Sequence, residues 1–443
     1  MMVPARRLMH LLLAWLGLSL ATVAVVAINP DARSLAYGIW WLAGLALVLA
    51  LAVDALRVRQ QPVPLAERRT PAALSVQRQH DIELLLQSNA LPPGTLVADQ
   101  HPGDDADTGL PITIEPAAET VTRLTYRYRP ARRGQARFGH LHLWLPSPWG
   151  LWQRKVVTAE PVSIPVFPDF SMLVQEQLLA QDRPLRDQGA RQQIRRGEGM
   201  EFHQLREYRP GDSLRQIDWK ASARRRSLIS REYQEEQNQQ IIMLLDGGQR
   251  LGMQVDQLTG FDHALNACLL LAWNAVRESD RPGALVFSGS EPCWVPPRRG
   301  RSSINRLLHA LYPLHPADRA SDYSEAASML LRHQPHHSLV VLITRLQPDD
   351  EQDLLAAVTL LRRRHRVMVA DVQLPGQRRL RQRPATTLQD ALFALGDAAW
   401  DEQHRALHMR LRHAGVTLVE ATPEHLPGAL NRAYLAMKRA GQL

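Results

Sequence analysis

The spacing of apolar residues divides the chain into an apolar start, a strand-rich middle and a C-terminal part where strands and helices alternate. Two long apolar runs, residues 8–28 and 35–53, are separated by a short polar break. Each run has about the 20 residues that a helix needs to cross the hydrocarbon core of a bilayer. Residues 1–59 are therefore predicted to form a transmembrane hairpin.

Basic residues flank the hairpin on both sides and set its expected orientation. Arg6 and Arg7 precede the first run, and Arg57 and Arg59 follow the second. Positive charge accumulates on the cytoplasmic side of membrane spans. We therefore expect a multi-pass protein of the inner (plasma) membrane, with both termini and the soluble domains in the cytoplasm. The alternative is a cleaved signal peptide, but the first run is long and a second span follows it directly.

Residues 60–168 show the two-residue period of half-buried strands. Apolar and polar positions alternate over residues 124–128 and 141–145, which predicts strands and, together with the turn clusters, a small antiparallel β-sandwich. Trp144, Trp149 and Trp152 are interpreted as core residues rather than as a platform for stacked bases. The predicted strands cover residues 73–77, 82–87, 95–98, 122–129, 137–145 and 156–166.

From residue 240 to 443, apolar strands alternate with amphipathic helices. Strands that are apolar on both faces and separated by helices indicate a doubly wound parallel α/β sheet. Ligands of such sheets bind where strands end, and Asp246 and Thr344 stand at two such ends. The predicted strands are residues 241–245, 284–288, 293–295, 338–344, 366–372 and 416–420, and the helices are 261–277, 304–312, 323–333, 351–364, 387–411 and 423–440.

Between these regions, residues 169–239 are predicted to form a polar connector helix (171–196) and a charge-rich stretch, residues 197–236, here called the signature segment. Acids, bases and apolar anchors interleave there, so the segment is expected to fold. The run Pro210-Gly211-Asp212 predicts a turn followed by a helix cap, and residues 228–233 predict a strand. The charged side chains are expected either to join two domains or to bind a partner. The candidate residues are Glu201, Phe202, Leu205, Arg206, Glu207, Tyr208, Pro210, Gly211, Asp212, Arg215, Ile217, Asp218, Trp219, Lys220, Arg224, Arg231, Glu232 and Tyr233.

The spacing in this segment resembles a known family. The pattern E-F-x-x-L-R-E-Y-x-P-G-D-x-x-R-x-I-D-W-K-A-x-A-R over residues 201–224, with R-E-Y at 231–233, is similar to the hallmark of the bacterial domain of unknown function 58. Residues 146–152 resemble the P-x-G-L-aromatic element that precedes this hallmark. The resemblance implies membrane tethering, a von Willebrand factor A-like domain after the hallmark, and association with MoxR-type AAA+ ATPases. It implies no molecular activity.

The same resemblance raises the question of a metal site. A von Willebrand A domain normally holds Mg²⁺ with D-x-S-x-S after its first strand and with a Thr and an Asp from later loops. In this chain Gly248 and Arg250 stand at the two serine positions, and no aspartate follows Thr344 at the expected place. Asp246 and Thr344 are therefore interpreted as a degenerate site that binds no metal, with Arg250 expected to form an ion pair with Asp246.

Other chemistry-bearing motifs are sparse. The sequence contains no GxxxxGK[ST], GxSxG or HExxH motif. His404 and His408 have the spacing of helical metal ligands, but no acidic third ligand accompanies them, so both are expected to be solvated. Cys268 is expected to be a buried reduced thiol. No catalytic residue and no cofactor is predicted.

The net charge of +9 and the pI of about 10.0 are compatible with an anionic membrane face, an acidic partner or nucleic acid. The expected function is a membrane-anchored, non-enzymatic interaction or scaffold protein that partners a MoxR-type AAA+ ATPase in protein maturation or complex assembly. Two alternatives stay open. One is an enzyme with an unrecognised acid/base or phosphate-binding site in the signature segment, and the other is a nucleic-acid-binding protein.

Overall fold

The computed structural model describes residues 2–87, 91–103, 108–115, 121–169, 201–208, 217–234, 238–374 and 387–443. The chain divides into two compact units, Met1–Phe167 and Pro168–Leu443. The signature segment and the α/β domain belong to the second unit.

Two long helices, α1 (Arg6–Ile28) and α2 (Arg33–Gln60), begin the first unit. Trp15 of α1 stacks on Trp40 of α2 with ring centroids 5.2 Å apart, and Trp40 Nε1 donates to Ser19 Oγ at 2.8 Å. Most of their other apolar side chains are exposed, as in helices that are surrounded by lipid rather than by protein. Both helices are long and apolar enough to cross a membrane.

The remainder of this unit consists of short sheets whose strands pair antiparallel, except for β3 with β11. The sheet orders are β1-β10-β9-β5-β6, β2-β4-β7 and β3-β11-β8. The strands are β1 (Met2–Pro4), β2 (Ala66–Arg69), β3 (Leu74–Ser75), β4 (His80–Gln87), β5 (Thr95–Asp99), β6 (Ile112–Ile114), β7 (Val121–Tyr128), β8 (Gly134–Phe138), β9 (Leu141–Pro146), β10 (Trp152–Thr158) and β11 (Val162–Phe167).

Two strand predictions in this region are wrong in length. Residues 137–145 form parts of β8 and β9, and residues 156–166 form parts of β10 and β11. Phe138 and Leu141 are both fully buried, so the two-residue period shifts phase at the turn between β8 and β9. At the second turn, Ala159 has φ of +54°, a left-handed conformation that ends the extended chain.

A buried polar cluster joins two of the sheets. Asp99 of β5 accepts hydrogen bonds from Arg68 Nε of β2 at 2.9 Å and from the Tyr126 hydroxyl of β7 at 2.6 Å. Burial, followed by the nearby Asp99 carboxylate, raises the pKa of Tyr126, so its hydroxyl stays protonated as a donor.

The end of α2 is fastened to the turn between β9 and β10. Asp54 is fully buried and accepts from the Ser147 hydroxyl, from Trp149 N at 3.1 Å and from Leu151 N at 3.3 Å. Trp152 Nε1 donates to the Leu51 carbonyl of α2 at 3.1 Å. The P-x-G-L-aromatic element of residues 146–152 therefore binds the Asp54 carboxylate of α2.

The prediction that all three tryptophans of this region pack in the core is wrong for Trp149. Its side chain is exposed, and the Arg57 guanidinium lies over its ring at 5.0 Å. Trp144 and Trp152 are half-buried. The short loop that wraps Asp54 turns the Trp149 side chain outward while using its backbone N–H as a donor.

The second unit contains a sheet of order β18-β17-β14-β19-β20-β21, in which every pairing is parallel except that of edge strand β18. This is the doubly wound arrangement that the alternation of strands and helices predicts. The strands are β14 (Gln240–Asp246), β17 (Arg281–Phe287), β18 (Cys293–Val295), β19 (Leu339–Thr344), β20 (Arg366–Val372) and β21 (Thr417–Ala421); β15 (Gln254–Val255) and β16 (Leu258–Thr259) form a separate small hairpin.

Helices cover both faces of this sheet. The helices are α4 (Gly260–Arg277), α5 (Ser302–Leu311), α6 (Tyr323–His333), α7 (Glu351–Arg362), α8 (Leu388–His413) and α9 (Leu426–Arg439). Helices α4, α5 and α9 pack on one face in one apolar cluster, and α6, α7 and α8 pack on the other face in a second. Cys268 of α4 is buried as predicted, and burial raises the pKa of its thiol to about 12.

The signature segment forms a hairpin and a short helix. Strand β12 (Glu201–Glu207), which the sequence did not predict, pairs antiparallel with β13 (Ile229–Gln234). Helix α3 (Trp219–Arg225) begins after Asp218, whose carboxylate accepts from Ala221 N at 3.0 Å. The helix cap predicted at Asp212 and the connector helix predicted at 171–196 lie outside the described residues.

Candidate functional sites of the second unit

Asp246 ends β14 at the carboxyl edge of the parallel sheet, and its carboxylate accepts hydrogen bonds from three groups of the protein. Its Oδ2 accepts from the Ser321 hydroxyl and from the Thr344 hydroxyl, each at 2.6 Å, and its Oδ1 accepts from Gly248 N at 2.9 Å. The Tyr323 hydroxyl lies 3.1 Å from Thr344 Oγ1. The structure thus brings the predicted pair, Asp246 and Thr344, together, and adds Ser321, which no sequence motif marks.

The predicted ion pair between Arg250 and Asp246 is wrong. Arg250 lies in a 3-10 turn, Gln249–Leu251, and its Nη2 donates to Asp350 Oδ1 at 2.9 Å. Gly248 occupies a position where a side chain has no room. A Cβ on Gly248 would lie 2.7 Å from the Arg319 carbonyl oxygen and 3.1 Å from Asp246 Oδ1. A serine at this position would therefore displace backbone rather than offer an oxygen to a metal.

The environment of Asp246 favours hydrogen bonds within the protein over the binding of a cation. Burial raises the pKa of Asp246, and the hydrogen bonds from Ser321, Thr344 and Gly248, together with the nearby charge of Arg250, offset this only in part. Both hydroxyls already donate to the carboxylate, so holding an ion would require them to reorient. We interpret the role of the cluster as structural: its hydrogen bonds connect the ends of β14 and β19 to the loop before α6.

A second cluster lies at the same edge of the sheet, on the face that α6, α7 and α8 cover. His404 and His408 of α8 are both buried, 6% exposed, so the prediction that they are solvated is wrong. His404 Nε2 and His408 Nε2 each lie 3.1 Å from Asp371 Oδ2 of β20. The other carboxylate oxygen, Oδ1, accepts from Leu346 N at 3.0 Å. His408 Nδ1 lies 3.2 Å from Glu420 Oε1 of β21.

Local periodicity explains how these residues meet. Val367, Val369 and Asp371 alternate on the face of β20 that α8 covers, and Leu407 and Leu411 of α8 pack there. His404 and His408 continue that helical stripe toward the end of the strand. The sequence contains one signal for this cluster: Asp371 is in phase with the buried positions of β20. A buried carboxylate needs hydrogen-bond partners, so this phase predicts a polar cluster at Asp371. Which helix supplies those partners is not readable from either segment alone.

The electrostatics of this cluster follow from its hydrogen bonds. Burial alone raises the pKa of Asp371, but the hydrogen bonds from the two histidines outweigh it and the pKa is lowered. Burial alone lowers the pKa of His408, but its bonds to Asp371 and Glu420 outweigh that effect and raise the pKa to about 9. The hydrogen bond from His408 lowers the pKa of Glu420.

The cluster opens into a cavity of about 180 Å³ that Arg345, Trp400 and Arg405 also line. The Trp400 ring stacks on His404 with centroids 4.5 Å apart, which fixes the plane of this imidazole. Arg405 is paired with Asp401 on the same helix. The cavity therefore leads from the protein surface to two oriented imidazoles and one carboxylate.

In the signature segment, several large apolar side chains face outward. Leu205, Trp219 and Leu228 are 42%, 67% and 49% exposed, whereas Ile217 and Ile229 are buried. Glu207, Lys220 and Arg224 are exposed, Tyr208 and Asp218 are half-buried, and Asp218 serves as the cap of α3. The side chains of Glu201, Phe202, Arg206, Arg231, Glu232 and Tyr233, and the residues Pro210, Gly211, Asp212 and Arg215, lie outside what the structure describes.

An open cavity of about 670 Å³ near the start of α5 is lined by Arg281, Arg298, Arg299 and Arg306. Four guanidinium groups around one depression produce a strongly positive local potential that attracts anions. These residues form no sequence motif, since they are spread over a strand, a loop and a helix.

Sequence comparison places these features in a family. Residues 204–427, just over half of the chain, match the model of the protein of unknown function DUF58. The chain belongs to the DUF58 family. The match begins in β12 and ends in α9, so it includes most of the described signature segment, Asp246 and the cluster of Asp371, His404 and His408. In this DUF58 protein, the doubly wound sheet of the second unit lies where the von Willebrand factor A-like domain is expected.

Relatives of this DUF58 protein occur in mycobacteria. Uncharacterised proteins of Mycobacterium bovis and of Mycobacterium tuberculosis are each 27% identical to it over 198 residues. The matched stretch is 44% of this chain and 62% of each relative. The chain therefore spans less than two thirds of the length of these relatives.

Solved structures with similar folds include the hypothetical protein BatB from Bacteroides thetaiotaomicron, at 14% identity and a TM-score of 0.30, covering 46% of this chain and all of BatB. The SpRpn10 VWA domain matches at 13% identity and a TM-score of 0.28, covering 46% of this chain and 98% of that domain. The strand order, and not these low scores, establishes the fold of the second unit.

Proposed function

We propose that this DUF58 protein is a membrane-anchored, non-enzymatic interaction protein whose cytosolic von Willebrand A-like unit binds a MoxR-type AAA+ ATPase during protein maturation or complex assembly. The observation that carries the proposal is the exposed apolar surface of the signature segment, formed by Leu205, Trp219 and Leu228. The partner class comes from the resemblance of this segment to the family hallmark.

Membrane anchoring is supported by the surface of α1 and α2. A soluble helix pair would bury its apolar stripes, whereas these helices leave leucines exposed around their circumference, with Leu11 and Leu13, on opposite sides of α1, at 43% and 62%. The arginines in the first turn of α1 and at the end of α2 favour a cytoplasmic location for both ends of the hairpin. An alkaline-phosphatase fusion at Gly441 should therefore be inactive, and an active fusion would overturn this topology.

The signature surface has the composition of a protein-binding site. Asp218 N donates to the Ile229 carbonyl at 2.9 Å and Tyr208 N donates to the Leu228 carbonyl at 2.8 Å, so the exposed Trp219 and Leu228 are presented by one hydrogen-bonded unit. Exposed tryptophan beside basic side chains is typical of the residues that dominate protein interfaces. The buried Ile217 and Ile229 hold the unit together without contributing to its outer surface.

The test is a binding assay between full-length protein in detergent and the MoxR-type ATPase. Trp219→Ala should raise the Kd roughly thirtyfold, which corresponds to about 2 kcal/mol at an interface hot spot. Lys220→Glu and Arg224→Glu should weaken binding in a salt-dependent manner. Phe393→Ala, at another exposed aromatic residue of the second unit, is the matched control. Asp218 is unsuitable for charge reversal because it caps α3.

Two outcomes count against the proposal. If wild-type protein does not bind the ATPase, the partner assignment fails. If Trp219→Ala lowers the unfolding temperature and the unfolded fraction accounts for the lost binding, the segment joins two domains rather than binding a partner. The enzyme alternative gains no support from Asp218, Lys220 and Arg224, since the first caps a helix and the other two are exposed rather than converging in a pocket.

Nucleic-acid binding is the second candidate, and the cavity lined by Arg281, Arg298, Arg299 and Arg306 is the observation that favours it. A gel shift whose affinity falls steeply with salt and is lost in Arg299→Glu would support it. The absence of a shift, or a shift without salt dependence, would remove it.

A further inference from the structure

We propose that Asp371, His404 and His408 form a binding site for a divalent transition-metal ion, with Zn²⁺ as the expected occupant and a fourth position that opens into the adjacent cavity. This site is distinct from the degenerate position at Asp246 and does not depend on the proposed partner.

The donor set fits this class of ion. Two imidazole nitrogens and one carboxylate oxygen are ligands that Zn²⁺ takes in open sites with three protein ligands. The three side chains come from two rigid elements, β20 and α8, and all are buried. Ligands fixed on a strand and a helix hold their geometry better than ligands on loops.

The distances also fit. Each histidine Nε2 lies 3.1 Å from Asp371 Oδ2, and one candidate ligand atom from each residue lies within 4.8 Å of the others. Two ligand atoms that are each about 2.0–2.1 Å from a tetrahedral Zn²⁺ lie about 3.3 Å apart. A small displacement of the carboxylate would admit the ion between the three atoms.

The surrounding hydrogen bonds orient the ligands as in known metal centres. Glu420 faces His408 Nδ1 at 3.2 Å, which leaves Nε2 free to coordinate. This carboxylate–histidine pairing is the usual support of a metal-bound imidazole. Leu346 N holds the Oδ1 atom of Asp371 and directs Oδ2 toward the histidines. Trp400 stacks on His404 and restricts its rotation.

A metal-free ion pair is the competing explanation, with protonated His408 between Asp371 and Glu420. It accounts for both imidazoles, since each can donate its Nε2–H to Asp371 Oδ2, but not for the cavity of about 180 Å³ that this cluster lines. Such a cavity has room for several waters. Arg345 and Arg405 at its wall are suited to an anionic fourth ligand, such as a carboxylate.

The experiment measures the metal content of full-length protein, purified in detergent with a histidine-free tag. We expect about one Zn²⁺ per chain in the wild type and less than a tenth of that in His404→Ala and in His408→Ala. His413→Ala, an exposed histidine of the same helix, should retain the wild-type content. Trp219→Ala should also retain it, which separates this proposal from the partner proposal.

A second measurement keeps the test independent of variant folding. Metal-depleted wild-type protein titrated with Co²⁺ should develop the intense visible absorption of a tetrahedral site at one equivalent, and azide should change that spectrum through the open position. Wild-type protein that binds neither Zn²⁺ nor Co²⁺ would overturn the proposal, as would binding that survives the loss of both histidines. One equivalent of iron in place of zinc would overturn Zn²⁺ as the occupant.

Discussion

The sharpest structural prediction concerns Asp246, which the fold uses as a buried acceptor at the position where a von Willebrand A domain normally holds a metal. Replacement by alanine removes the acceptor of the Ser321, Thr344 and Gly248 donors and leaves a small cavity. Replacement by asparagine keeps one carbonyl acceptor and nearly the same volume. The two variants therefore separate loss of the network from loss of the charge.

The magnitudes follow from the hydrogen bonds. A bond to a charged group contributes about 1.5–3 kcal/mol, but removing the carboxylate also recovers its desolvation cost. Thr344 keeps the Tyr323 hydroxyl as a neighbour, whereas Gly248 N loses its side-chain acceptor. We expect Asp246→Ala to lower the free energy of unfolding by about 3 kcal/mol and Asp246→Asn to lower it by about 1 kcal/mol.

The pH dependence has a definite sign. Burial raises the pKa of Asp246 in the folded state, so this group contributes stability that is fully present below its unfolded pKa and is lost as pH rises through its folded pKa. The deficit of Asp246→Asn relative to wild type should therefore shrink as pH rises. Asp349→Asn, at an exposed carboxylate, should stay within about 0.5 kcal/mol of wild type.

The assay is thiol labelling of Cys268 in a Cys293→Ser background, in detergent and increasing denaturant. Cys268 is 1% exposed and its thiol pKa is raised to about 12 by burial, so it reacts only when the core of the second unit opens. An alanine variant as stable as wild type would refute the structural role of Asp246. So would stoichiometric Mg²⁺ or Mn²⁺ binding in calorimetry that Asp246→Ala abolishes.

Two further changes test the packing around these sites. Gly248→Ser should destabilise the second unit by about 1–3 kcal/mol, because its Cβ would approach the Arg319 carbonyl oxygen at 2.7 Å. Gly289→Ala, where the nearest atom to the new Cβ lies at 3.6 Å, should be close to neutral. Equal unfolding temperatures of the two variants would contradict this prediction. Asp54→Ala strands buried donors of the turn at 146–152, each at a cost of about 1–3 kcal/mol, so limited proteolysis should cleave that turn faster, whereas an unchanged rate would show that the carboxylate does not hold the turn.

Much of the fold was readable from the sequence, because periodicity and local breaks are local properties. The strand at residues 366–372 and the helix at 323–333 have the predicted bounds, since each combines a clear apolar pattern with sharp ends. The wrong strand bounds have local causes too. The turn between β8 and β9 keeps an apolar pattern on both sides, and it is marked by Gly139 and by a one-residue phase shift between Phe138 and Leu141.

Sites were readable only where a motif or a strand end singled them out. Asp246 and Thr344 were paired correctly because parallel strands place their carboxyl ends at one edge of a sheet. The role of Arg250 was misjudged, since a neighbour in sequence is not a neighbour in a turn, and its guanidinium reaches Asp350 instead.

The sequence by itself determined the hairpin helices, the order of strands and helices, and the family to which the signature segment belongs, because each depends on residues close together in the chain. The tertiary structure alone decided that Asp371 faces His404 and His408, and that Asp54 is enclosed by a turn 93 residues farther along. Such contacts depend on which surfaces pack together once the whole core has formed. The energy that selects them is spread over many apolar contacts rather than written in any one segment.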